Sequence, residues 1–237
     1  MANAQSELST TMNNIAQKFG LSSIHVLRSF MYDNEIIISG SNALLAFHVG
    51  LFQPRDLDLY APIAMESTIG AFLEERGHLR VYGPVQPESS YETENTSAII
   101  RIDKYAKHRE LIDIVYTRGN PIQVVTNFHS TLVMNYIAWY GAVSLYPALT
   151  LARKAIMNTS NARANECYQK YESKGFQFIR RLPRGLANKP LHNCRQYFAC
   201  PSTVRSIHDD SVVFVENHTP NVGGQVRGGG GLQTSGE

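Results

Sequence analysis

Hydrophobic and polar positions are patterned most clearly between Ile36 and Tyr60. Ile36-Ile37-Ile38 is a short apolar run of the kind a buried strand makes, Gly40-Ser41 supplies a turn, and Asn42 to Val49, rich in Ala and Leu, reads as a helix. Asp56-Leu57-Asp58-Leu59-Tyr60 then alternates with period two, so it reads as a second strand with both carboxylates on one face and both leucines on the other. Upstream, residues 1 to 9 read as loose and a helix is predicted over Thr10 to Tyr32 with a break near Gly20, the first strand beginning near Glu35. Downstream, Ala64 to Arg76 is helical, with Ile69, Phe72 and Leu73 on one face and Gly77 as its stop. Leu79 to Tyr82 is a short strand, and Pro84 to Asn95 is a polar loop able to move over a site. Ser97 to Tyr105 and Glu110 to Tyr116 form a hairpin through Ala106 to Arg109. A turn at Arg118-Gly119-Asn120-Pro121, a short Val124-Val125 strand and a predominantly helical Thr131 to Ala142 follow. The fold class expected is α/β (α+β), a mixed sheet flanked by helices.

Composition narrows this further. A chain of 237 residues with 43% hydrophobic content can bury a large core. Residues 1–160 are read as the core domain, 161–217 as a small C-terminal extension, and 218–237, in which glycine dominates, as a flexible tail. The net charge of +2 is too small to mark a dedicated nucleic-acid binder. Neither a secretory signal nor an apolar run of the roughly 18 residues a membrane span requires is present. Three cysteines do not suggest a disulfide framework. No membrane association is expected, and the cytosol or nucleus is the compartment expected.

The candidate chemistry lies in the carboxylates. Asp56 and Asp58 on one strand face repel each other, and a divalent metal is the usual remedy. Gly40 lets the backbone approach a ligand closely, and Ser41 opens a helix whose positive end faces the turn, a geometry suited to phosphate. Asp113 lies in the apolar strand Leu111-Ile112-Asp113-Ile114-Val115, where a bare carboxylate needs either a metal or a cationic partner such as Arg101. Ion pairing within the chain is the competing account of Asp56, beside Arg55, and of Asp103, two residues from Arg101.

The hydrophobic strand, Gly40-Ser41, helix and Asp56-x-Asp58 together resemble the signature of the nucleotidyltransferase superfamily, the fold of DNA polymerase beta, with Asp113 in the place of the third acidic residue. Phe128-His129-Ser130-Thr131, Met134-Asn135-Tyr136, Pro147 and Cys200-Pro201 further resemble uncharacterised nucleotidyltransferase-like proteins of fungi. The resemblance implies a nucleotidyltransferase-like sheet and metal-dependent transfer of a nucleotidyl group from an NTP donor, ATP among the candidates, to a hydroxyl acceptor: a small molecule, an RNA end or a protein hydroxyl. It implies that Asp56 and Asp58 hold magnesium (or manganese), that Asp113 completes one metal site and favours deprotonation of the acceptor, and that Gly40, Ser41 and neighbouring amides hold the outgoing pyrophosphate. Lys154, preceded by Arg153, falls where related transferases have a helix facing the triphosphate. The gap from Ser41 to Asp56 is slightly longer than the family's usual spacing, and Gly50 to Pro54 would absorb it.

Two other features carry weaker chemistry. Cys167, His192, Cys194 and Cys200 suggest zinc, although their irregular spacing fits buried or incidental cysteines as well. Arg180, Arg181, Arg184, Lys189, Arg195 and Arg205, interleaved with Phe176, Phe178, Tyr197 and Phe198, suit a nucleic-acid backbone or a solvated face. The aromatic cluster of Phe128, Met134, Tyr136, Trp139 and Tyr140 fits core packing or base stacking. A catalytically silent nucleotide-sensing or interaction module is the alternative to an enzyme, as is a nucleic-acid-binding protein using the basic C-terminal region.

Overall fold

The computed structural model describes residues 2–85, 98–180 and 213–216. Helix α1 (Ala2–Lys18) forms because Leu8, Met12, Ile15 and Ala16 recur at one-turn intervals and are buried together with Phe19 just beyond its end. It therefore includes the stretch expected to be loose. Helix α2 (Ile24–Asp33) starts at Ser23, whose hydroxyl accepts from the Val26 N–H at 3.3 Å, and buries Leu27, Phe30 and Met31. Then come β1 (Ile37–Ser39), α3 (Gly40–Leu45), β2 (Asp56–Pro62), a short 3-10 turn over Ile63–Met65, and α4 (Glu66–Glu75), which buries Ile69 and Leu73. Strands β3 (Leu79–Val85), β4 (Ile99–Lys107) and β5 (Glu110–Thr117) follow; of the polar loop expected over 84–95, all but its first two residues lie outside the described residues.

The second half departs from the pattern read in the sequence. Val124-Val125 belongs to a short helix, α5 (Ile122–Val125), and not to a strand. Thr131 to Ala142 is not a helix: a 3-10 turn over Thr131–Val133 leads into β6 (Asn135–Ala138), which folds back through Trp139-Tyr140 into β7 (Gly141–Ser144). All residues of both strands are buried, so the alternation that reveals a half-exposed strand is missing and the aromatic spacing imitates a helix. Next are α6 (Pro147–Leu151), β8 (Lys154–Ile156), α7 (Ala162–Glu172), β9 (Gln177–Ile179) and β10 (Val213–Glu216).

Eight strands form one mixed sheet in the order β10-β7-β6-β1-β2-β5-β4-β3, and β8 pairs with β9 in a small parallel ribbon. Only β2 and β5 run parallel in the large sheet, with Asp58 opposite Asp113; β1 lies antiparallel on the other side of β2, with Ser39 opposite Asp58. The alternating side chains divide the sheet between two cores. Leu57, Leu59, Ile112, Ile114 and Tyr116 pack with α1, α2 and α4, whereas Tyr60 and Val115, which share the carboxylates' face, pack with Tyr136, Val143 and Leu149. A third cluster joins Leu44, Leu132, Ala155, Tyr171 and Phe176. The residues just past 160 are thus tied into the core through Tyr171 and the β8–β9 pairing. The tail expected over 218–237 lies outside the described residues. Among the described residues no helix is long and apolar enough to cross a membrane.

Candidate functional site

Three elements converge on Asp58. The β2–β5 register sets Asp58 beside Asp113 on one face, and Asp56 stands two residues back on that face. The β1–α3 turn lies against them, since Ser39 opposes Asp58 and Gly40 follows with φ of +64°. A β-carbon on residue 40 would stand 3.3 Å from Asp58 Cγ and nearer still to Oδ2, so glycine is favoured by the backbone conformation and lets the carboxylate keep its place. Asn42 Nδ2 donates to the Asp56 carbonyl at 2.7 Å, and Ser39 Oγ donates to the Asn135 carbonyl at 2.7 Å, which locks the turn to β2 and β6.

Helix α7 closes the opposite side. The Ser41 hydroxyl is 2.9 Å from the Tyr171 hydroxyl, and Lys170 Nζ donates to Ser41 Oγ at 3.5 Å. Arg163, Cys167, Lys170 and Tyr171 recur at three- and four-residue steps along α7 and Lys174 follows just beyond its end, so Lys170, Tyr171 and Lys174 are brought to the turn and the carboxylates. Lys174 Nζ lies 4.0 Å from the centre of the Phe52 ring; burial, the neighbouring Lys170 and Arg55 lower its pKa, while Asp56 opposes them.

The electrostatics centre on Asp58. Burial, then the Asp56 and Asp113 carboxylates, push its pKa from the usual 3.8 to about 7, against the pull of Lys170 and Lys104. The Asp113 carboxylate is not bare: Lys104, its register partner on β4, donates to Oδ2 at 2.6 Å. Nearby, burial pushes the His129 imidazole down to about 4, helped by Arg163 and Lys170, and its Nε2 is buried without a hydrogen-bond partner. Burial raises the Cys167 thiol.

The structure thus brings together Gly40, Ser41, Asp56, Asp58 and Asp113. Lys154 stands elsewhere: it begins a strand and not a helix, is exposed, and pairs with Gln177 along the small ribbon. Arg101 is not the partner of Asp113, because it lies on the opposite face of β4, where it and Arg80 flank the fully buried Asp103 at 3.0 and 2.7 Å. Of the four residues considered for zinc, Cys167 is a free, half-buried thiol on α7, and His192, Cys194 and Cys200 lie outside the described residues, as does most of the basic C-terminal stretch. Lys104, Lys170, Tyr171 and Lys174 were not anticipated from the sequence. For α7 the three-and-four spacing was there to be read; for Lys104 the strand register that sets it opposite Asp113 is visible only in the fold.

The donors suit a hard divalent cation only in part. Carboxylate oxygens are the right chemistry, and a crowded Asp58 is a carboxylate in want of a cation. Yet among the described residues no three His, Cys, Asp or Glu side chains are grouped so as to hold a metal ion, and Asp113 is engaged by Lys104. The pair Asp56–Asp58 fits; the three-carboxylate set does not in this arrangement.

No protein-family model matches the chain, and no curated protein is similar to it. The class is therefore defined by fold and site alone: a mixed α/β protein with an acidic sheet face set against a Gly-Ser turn and a basic helix face.

Proposed function

We propose that the protein transfers a nucleotidyl group from an NTP to a hydroxyl acceptor in a metal-dependent reaction, as a nucleotidyltransferase-like enzyme. The observation that carries this reading is the convergence of Asp56, Asp58 and Asp113 on one sheet face beside the Gly40-Ser41 turn. Asp56 and Asp58 would hold magnesium or manganese, which when bound neutralises phosphate charge and stabilises the attacking and leaving oxygens of a phosphoryl displacement. Lys170 would supply positive charge for the outgoing pyrophosphate, and Ser41, which is buried and bonded to Tyr171 and Lys170, would bond it on exchanging those partners. Gly40 keeps that turn close to Asp58, and Asn42 keeps β2 close to the turn.

Magnesium-dependent binding of ATP, CTP, GTP and UTP, measured by calorimetry on the intact protein and on an Asp56→Ala, Asp58→Ala double variant, tests this. Binding by the intact chain that is lost in the double variant supports the reading and identifies the donor. No binding of any nucleotide, with magnesium or manganese, to the folded intact protein overturns it.

A catalytically silent nucleotide-sensing or interaction module is the second reading, and the Lys104–Asp113 ion pair favours it, because the carboxylate that would complete the catalytic set already has a cation. It predicts nucleotide binding with no release of pyrophosphate for any acceptor.

A further inference from the structure

We propose that Lys104 is the resident cation of the third carboxylate position, so that the protein takes one divalent cation, at Asp56 and Asp58, and Asp113 is not a metal ligand in the resting state. This rests on the metal-dependent reading above.

Lys104 is held where it is by the backbone. It is paired residue to residue with Asp113 within the continuous β4–β5 register that runs from Arg101 to Lys107, so it cannot leave Asp113 through a local slip without breaking neighbouring pairs. Its Nζ reaches Asp113 Oδ2 at 2.6 Å, a charge-assisted length. The flanking residues Arg101, Asp103 and Tyr105 take the other face, where Asp103 is matched to Arg80 and Arg101; Lys104 is thereby directed to the acidic face as the strand alternates. The lysine is only partly exposed, at 34%, and Asp113 less so, at 19%, which sets the pair apart from a wholly solvated surface bridge.

Charge balance points the same way. Ionised, Asp56, Asp58 and Asp113 carry three negative charges against the two positive ones of Lys104 and Lys170, so a single divalent cation already more than balances the group. A second would add two further positive charges and would have to displace an ammonium already bonded to its ligand.

The test is manganese binding to the full chain without nucleotide, followed by the electron paramagnetic resonance signal of free Mn²⁺, with thermal melting to show that each variant is folded. The expected result is one site, weakened about tenfold or more by Asp58→Asn and changed less than about threefold by the Lys104→Met, Asp113→Asn double variant, which removes the ion pair as a neutral unit, with Lys104→Met alone tightening binding about tenfold through loss of a repelling charge or opening a second site. That gain disappears in the Lys104→Met, Asp113→Asn double variant, and Lys104→Arg keeps the wild-type stoichiometry. If the Lys104→Met, Asp113→Asn double variant weakens manganese as much as Asp58→Asn does, Asp113 is a ligand; the proposal then falls and the metal-dependent reading stands. If neither the wild type nor any folded variant binds manganese, that reading falls and this proposal with it.

Discussion

Gly40 offers a test with a built-in control, because Gly50 has a similar backbone conformation and a different neighbourhood. Both have positive φ, +64° and +75°, but a β-carbon on residue 50 meets nothing within 4 Å whereas one on residue 40 runs into the Asp58 carboxylate. Replacing either glycine with alanine costs the left-handed backbone term of about 1 kcal/mol, which for a chain of this size lowers Tm by roughly 2–4 °C. The Asp58 carboxyl is the end of a short side chain and can rotate away, so Gly40→Ala adds little to that loss of stability. Its particular effect is on the carboxyl itself. The methyl forces the Asp58 carboxyl from its place and so changes the burial, and after it the Asp56 and Asp113 repulsion, that hold its pKa up, each unit of change being equivalent to about 1.4 kcal/mol. Carboxyl-carbon NMR on labelled protein reads this directly: Asp58 titrates near 7 in the wild type and in Gly50→Ala, and at a clearly displaced pH in Gly40→Ala. Equal titration in all three proteins, or an equal displacement in both variants, refutes the argument that the turn confines this carboxylate.

Two further outcomes follow from the charged groups. Because the folded-state pKa of Asp58 is raised from 3.8 to about 7, the folded chain holds a proton that the unfolded chain has lost between those values. Stability therefore falls as pH rises through that window and levels off above it; in urea denaturation Asp58→Asn removes the slope and gains stability at about pH 8. An unchanged slope in the variant assigns the pH dependence elsewhere. Asp103→Ala removes the carboxylate of the partly exposed Arg80 while Arg101 keeps Glu66, so the expected cost by chemical denaturation is about 1–2 kcal/mol, less than for a fully buried pair; no measurable loss shows that Arg80 finds another partner.

The parts of the site that were legible in the sequence are those fixed by local pattern. Alternation in Asp56-Leu57-Asp58-Leu59 gave the face of the carboxylates, and the apolar strand around Asp113 gave its neighbour. What was not legible depends on register and on chain segments that meet only in the fold. Arg101 and Lys104 are three residues apart on one strand, and an odd separation puts them on opposite faces; only the residue-to-residue pairing decides that Lys104, and not Arg101, reaches Asp113. Helix α7 was read as an addition because Ser41 and Tyr171 are remote in sequence, although a basic face was present in its spacing. The start of α1 was read as loose because its polar residues dominate composition, while burial is decided by the few apolar ones at turn intervals. The β6–β7 hairpin was read as helix because strands buried on both faces lose the alternation that marks them.

Strand β10 has a consequence for how the chain is made. It caps the β7 edge of the sheet, pairing Val213 to Glu216 with Ser144 to Gly141, and it also lies against α1, so the first helix and the last described strand finish the same corner. A nascent or shortened chain that has β7 but lacks β10 carries an open row of backbone donors and acceptors at that corner, the kind of edge through which strands of separate molecules add to one another. Completion of the sheet therefore depends on residues synthesised after every other strand in it, and until they pair, the β7 edge is open to a strand from another chain.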